Sequence, residues 1–260
     1  MRYLRNRVWH ELRRLRAQHQ FHNSEFSVDI PVGAARRILS RNGLGFDGDG
    51  NPSWWYASLD CRRNEADDLT KAALKYVLEN VPADTRILGT GCGTGWILFW
   101  LAQKGFHNIE GFDYLPNVVQ SAKEIADLSG IRARLWQDDG FHPRLEGRYG
   151  LVLHWLYSAW MGNYGNTPRG DKGREALLSA FLAQYADHVE SGGLIMLELV
   201  DAISDYREPP IAIYPVRHTA EQVAGCAAAF GFAVERMMFN SNYGHLPRML
   251  YVLRRSRAGG

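Results

Sequence analysis

A chain of 260 residues and 29.5 kDa, 46% hydrophobic and 22% charged, can bury one large core unaided and is not a disordered, collagen-like or mucin-like polymer. A net charge of +2 with pI near 8.4 gives no global field that would by itself imply a nucleic-acid partner. Cys61, Cys92 and Cys226 form no CxxC pair or zinc-type cluster, no apolar run approaches the ~18 residues of a membrane span, and the charged N-terminus lacks a signal-peptide apolar stretch; a reduced, cytoplasmic protein without a resident metal is expected.

Residues 1–20 carry Arg2, Arg5, Arg7, Arg13, Arg14 and Arg16 against Glu11, with Leu4, Val8, Leu12 and Leu15 at helical spacing. This is an amphipathic helix with a basic outer face, either a patch for an anionic partner or a solvated face packed on the core. Residues 41–55 are rich in Gly, Asp, Asn and Pro and read as a loop ending in Trp54, Trp55 and Tyr56, which either close over a ligand or anchor the loop. Residues 65–79 turn helical through Leu69, Ala72, Ala73, Tyr76 and Val77. The chain thus divides into an N-terminal helical cap and lid loop over 1–65 and a main domain over 66–260.

From there strand and helix alternate: strands at 85–88, 108–112, 131–137, 150–154 and 194–199, and helices at 96–103, 116–128 and 175–189. Gly105 stops the first of these helices and Pro116 starts the second. The tail adds a helix at 220–230 and two strands, 234–240 and 249–254, whose short connection makes them antiparallel neighbours. The expected fold is α/β: a seven-stranded, mostly parallel, Rossmann-like sheet with an antiparallel last strand.

The first strand runs into Arg86-Ile-Leu-Gly-Thr-Gly-Cys-Gly-Thr-Gly95, which opens a helix. Glycines there let a ligand touch backbone, and the helix start offers free N–H groups. The spacing is G-x-G-x-G at Gly91, Gly93 and Gly95; it is neither the dinucleotide G-x-G-x-x-G nor a P-loop. This pattern resembles the first motif of the class I S-adenosylmethionine-dependent methyltransferases, and the likeness extends over residues 66–260. Asp113 ends the second strand, where the family's acid binds the cofactor ribose. Asp138-Asp139 end the third, where an acid meets the adenine amino group; strand alternation favours Asp139 and leaves Asp138 open. Tyr149-Gly150-Leu151-Val152 resembles the fourth-strand motif, and Glu190-Ser191-Gly192-Gly193 the turn into the fifth strand. The resemblance implies S-adenosylmethionine held by Gly91, Cys92, Gly93, Gly95, Trp96, Asp113, Tyr114 and Asp138 or Asp139, with His154 also lining the site. Two positions depart from the family: Gly89 stands where an acid is usual, and Gly150 where Asp is common.

For proton removal from an acceptor, His154 at the end of the fourth strand is the first candidate, with burial beneath the cofactor as its alternative; loop residues His218 and His245 follow. Glu198 and Asp201 end the fifth strand as possible orienting groups or simple caps. Trp155 stands where family members that methylate amino groups of nucleobases or glutamine carry Asn-Pro-Pro-Tyr, and the polar insertion at 162–174 is either a substrate-side contact for an anionic acceptor or a solvated loop. The expected activity is methyl transfer to a small-molecule oxygen, of a natural product or sugar. Nucleic acid is not the expected partner, and the competing readings are a catalytically idle cofactor-binding protein or an RNA methyltransferase.

Overall fold

The computed structural model describes residues 26, 28–46, 68–155, 171–200, 218–240 and 248–257. The expected basic helix at 1–20, the aromatic run at 54–56, most of the polar insertion, Asp201 and His245 lie outside them. The elements in chain order are α1 (Val32–Arg41), α2 (Asp68–Asn80), β1 (Arg86–Thr90), α3 (Trp96–Gln103), β2 (Asn108–Asp113), α4 (Pro116–Leu128), β3 (Arg134–Gln137), β4 (Tyr149–His154), α5 (Asp171–Ala186), β5 (Val189–Val200), α6 (Ala220–Ala229), β6 (Phe232–Asn240) and β7 (Arg248–Arg255). They build a seven-stranded sheet of order β3-β2-β1-β4-β5-β7-β6. Strands β1 to β5 run parallel, and β7 is antiparallel to both β5 and β6. The expected sheet, with its antiparallel last strand, is the observed one.

Both sheet faces are buried, as a parallel sheet requires. Residues Ile87, Leu151, Leu153, Leu194 and Met196 face one apolar layer with α3 and α4; Leu88, Val152, Ile195 and Leu197 face the other, with α5 and α6. Helix α3 (WILFWLAQ) is apolar nearly all round because it is enclosed: Trp96, Leu98, Phe99, Trp100 and Leu101 are all buried. Its outer side is covered by the described N-terminal residues. Phe26 stacks on Trp100 at 5.7 Å, and Asp29 and Gln103 exchange two hydrogen bonds of 2.9 and 2.8 Å. Helix α1 docks beside α4 through Asn42 Nδ2 to Ser121 Oγ at 3.0 Å and an Arg41–Glu124 ion pair.

Four elements differ most from the sequence reading. Helix α1 was not expected. It starts after Pro31 and ends in a Schellman closure, with Gly43 at φ 74°, Gly43 N–H bonded to Ser40 O at 3.2 Å and Leu44 N–H to Leu39 O at 2.7 Å. Strand β3 begins at Arg134, three residues late, because Ile131 N–H still closes the end of α4 on Ala126 O at 2.9 Å. Strand β5 begins early at Val189, and Glu190–Gly193 is a bulge inside it rather than a turn before it: Tyr149 pairs with Val189, then Leu151 with Leu194. The helix expected at 175–189 spans Asp171–Ala186, so the end of the polar insertion is helical.

Candidate functional site

The C-terminal ends of β1, β2, β3 and β4 converge at one edge, where open α/β sheets bind ligands. Residues Gly91, Gly93 and Gly95 have φ of 57°, 58° and 85°, a left-handed run that other residues rarely adopt. At Gly95 a Cβ would also lie 2.4 Å from the Phe99 ring. The loop is tied to β2 twice. Cys92 N–H donates to Phe112 O at 2.9 Å, and Gly93 N–H donates to Asp113 Oδ2 at 3.0 Å.

Asp113 is buried, with 8% of its surface exposed. Its second oxygen accepts the Leu115 N–H at 3.1 Å. Burial pushes its carboxyl above the usual aspartate range, against the pull of the N–H groups of Leu115, Gly93 and Tyr114. The adjacent Tyr114 is 54% exposed. Cys92 lines the loop, and its thiol is pushed far up by burial and then by the Asp113 charge, so it stays protonated and a poor nucleophile.

The two acids after β3 are distinguished by their partners. Asp138 is buried and accepts from Trp136 Nε1 at 3.1 Å, Arg144 N at 2.9 Å and Asp139 N at 3.0 Å, with the Arg144 guanidinium at 3.4 Å. Burial pushes its carboxyl up, but the Arg144 N–H, the indole, the Asp139 N–H and the Arg144 charge bring it below the usual range. Both oxygens hold the turn that follows. Asp139 is half-buried, with Oδ1 accepting the Phe141 N–H at 3.0 Å.

His154 is not on the open rim. It is 0% exposed, hydrogen-bonded through Nδ1 to Thr90 Oγ1, and held edge-on by Phe181 at 4.2 Å and Tyr185 at 4.6 Å. Strand alternation turns it to the α5 face, away from Trp155. Burial holds its imidazole well below the usual histidine range, hence neutral. The proton-acceptor reading gives way to the buried one: the ring positions Thr90 and, through it, the end of β1. His218, the next candidate after His154, is 1% exposed beside the Thr219–Gln222 capping box of α6. A neutral buried histidine has a pH signature. The unfolded chain takes up a proton near its ordinary value of 6.5 that the folded one refuses. Stability is therefore complete above that pH and falls by about 1.4 kcal/mol per unit below it. Urea unfolding between about pH 7 and pH 5 should show this slope reduced by one proton in His154→Asn; an unchanged slope would place the histidine's proton elsewhere.

Position 89 explains the missing family acid. Gly89 and Gly111 are register partners on β1 and β2, and the Leu98 side chain lies across both. A Cβ at Gly89 would meet Leu98 Cδ2 at 2.9 Å, and one at Gly111 would meet Leu98 Cδ1 at 2.5 Å. The sequence reading overlooked Gly111 and Leu98. The signal was a second glycine two residues before the strand-end acid, opposite the first.

Comparison with known proteins follows the same line. A family model described as a methyltransferase domain matches residues 61–241. Mouse EEF1A lysine methyltransferase 2 is 30% identical over 129 residues, which are 48% of this chain and 53% of that protein. Ribosomal RNA small subunit methyltransferase C of Alcanivorax borkumensis is 24% identical over 120 residues, 45% of this chain and 33% of that one. The chain thus spans about half or less of the curated relatives it matches. Among solved structures, magnesium protoporphyrin IX methyltransferase from Synechocystis with bound SAH superimposes with a TM-score of 0.58 at 16% identity, covering 87% of this chain and 95% of that one. With the glycine loop on β1, the acid on β2 and this sheet order already in place, the matched domain assigns the chain to the class I S-adenosylmethionine-dependent methyltransferase family.

Proposed function

We propose that the protein transfers a methyl group from S-adenosylmethionine to an oxygen of a small molecule. The observation that carries the cofactor half is the buried Asp113 carboxylate, bonded to Gly93 N–H where β1 and β2 end. A carboxylate with two oxygens suits a diol, and left-handed glycines beside it give close access to backbone. Residues Gly91, Cys92, Gly93 and Gly95 would hold the amino-acid end, Asp113 the ribose, and the exposed Tyr114 and half-buried Asp139 the adenine, with Asp138 holding the turn beneath. The cofactor supplies a methyl group on a positively charged sulfur, so the chain's task is to orient an acceptor in line and to exclude water.

For the acceptor, the support is Trp155 at the end of β4, where family members that methylate amino groups of nucleobases or glutamine carry Asn-Pro-Pro-Tyr. A protein or RNA acceptor is the second reading, supported by the names of the mouse and Alcanivorax relatives. Calorimetric titration with S-adenosylmethionine and S-adenosylhomocysteine tests the first half: micromolar binding is expected, and none would overturn it. Methyl transfer from labelled cofactor to panels of carboxylic acids, phenols, sugars and amines, to purified elongation factor and to ribosomal RNA tests the second. Label in an amine, protein or RNA, and none in an oxygen acceptor, would replace the first reading with the second.

A further inference from the structure

Among the described residues, two buried indole N–H groups at this sheet edge have no acceptor. Trp96 opens α3 directly after Gly95 and is 8% exposed; Trp155 follows β4 and is 6% exposed. Both belong to the apolar layer on the α3 face. Neither Nε1 has a hydrogen-bond partner among the described residues, although both atoms are buried. Buried tryptophan N–H groups ordinarily find an acceptor, and leaving one without costs stability. Trp136, a few strands away, donates its own to Asp138 at 3.1 Å. The β4–β5 register ends at His154 with Leu197; one residue further it sets Trp155 level with Glu198, on the face opposite His154. The donors therefore lie on the side where α3 leaves the glycine loop, not on the side the histidine fills.

We propose that Trp96 and Trp155 form the recognition wall for the methyl acceptor, and that the acceptor presents a carboxylate to it. This rests on methyl transfer being the function. An indole N–H only donates, so it needs an oxygen with lone pairs; an ammonium, itself only a donor, leaves both indoles unsatisfied. A carboxylate has lone pairs for both donors and keeps others for attack. It is also ionised at neutral pH without a base, in keeping with a strand-end histidine that is buried and neutral. In the step, a carboxylate oxygen forms a C–O bond to the methyl carbon as the C–S bond breaks. The bonding pair stays on sulfur, which becomes a neutral thioether, and the carboxylate becomes a neutral methyl ester. No proton moves and nothing is oxidised.

The same donors could instead receive the carboxylate of the cofactor's own amino-acid end, and the test separates the two. Protein labelled with 15N-tryptophan is followed by its indole resonances, assigned with Trp96→Phe and Trp155→Phe. It is saturated first with S-adenosylhomocysteine and then titrated with benzoate, with benzamide as the neutral control. The expected result is a saturable downfield movement of both indole signals with benzoate only, after S-adenosylhomocysteine is already bound. Trp155→Phe should weaken benzoate binding at least tenfold and leave cofactor affinity within twofold. Movement of both signals with S-adenosylhomocysteine alone, no saturable movement with benzoate, or equal movement with benzamide would each overturn the proposal. If S-adenosylhomocysteine itself fails to bind, it is the methyltransferase reading that falls, which calorimetry on the unlabelled protein reports separately.

Discussion

Asp113→Ala should weaken S-adenosylmethionine binding by about a hundredfold, roughly 2.7 kcal/mol. Two losses combine. The carboxylate that suits the ribose hydroxyls is gone, and Gly93 N–H loses its 3.0 Å acceptor, so the glycine loop is no longer tied to β2 through a side chain. Asp113→Asn keeps an oxygen for one N–H and should lose only about tenfold, since charge-assisted bonds are roughly twice as strong as neutral ones. The sign of the stability change differs from that of binding. Burial raises the folded carboxyl above the unfolded one, so the folded state binds the extra proton, and stability falls as pH rises through that window. At neutral pH the ionised Asp113 thus costs stability while serving the ligand. Asp113→Asn should hold or raise the melting temperature at pH 7 while weakening the cofactor. For the wild type, affinity should fall on acidification at a higher pH than an ordinary aspartate would dictate. A variant that melts early and binds normally would make Asp113 a structural residue only.

The parts of this site legible in the sequence are those written in backbone conformation. Glycines at 91, 93 and 95 announce left-handed φ values, and Gly105 announces the end of α3 whatever surrounds it. Side-chain placement was less legible. His154 alternates with Leu153 along β4, but in a parallel sheet both faces are buried, so alternation names a face without saying which one is open to ligand. Asp138 and Asp139 follow the last paired residue of β3, Gln137, and a period-two rule has no force beyond the strand. Helix α1 carries a short apolar stripe of Val32, Ala35, Ile38 and Leu39; its clear signal was the Asn42-Gly43 end, which reads equally well as the start of a loop. The bulge at Glu190–Gly193 looked like a turn for the same reason: glycine marks a departure from regular backbone, not which departure.

Gly89→Asp, which would restore the usual family acid, should damage this protein. The added Cβ would fall 2.9 to 3.1 Å from Leu98 Cδ2, Cδ1 and Cγ, and Leu98 is 2% exposed with Gly111 on its other side. Overpacking of this kind costs about 1–3 kcal/mol, and a carboxylate pressed against a leucine adds a desolvation cost. Chemical denaturation should therefore show a loss of roughly 2–4 kcal/mol, with no gain in cofactor affinity. Leu98→Ala alone should cost about 2–5 kcal/mol, as buried leucine truncations do. The informative variant is the double one. If Leu98 occupies the space the family gives to an acid, the two changes relieve each other and Gly89→Asp/Leu98→Ala should be at least about 1 kcal/mol more stable than the sum of the single losses predicts. Strict additivity, or a Gly89→Asp protein that binds S-adenosylmethionine more tightly at no cost in stability, would mean the acid finds room elsewhere. The expected coupling implies a division of labour: glycine at 89 and 111 leaves β1 and β2 room for α3 to pack close through Leu98, and Asp113 ties the glycine loop to β2 through Gly93 N–H.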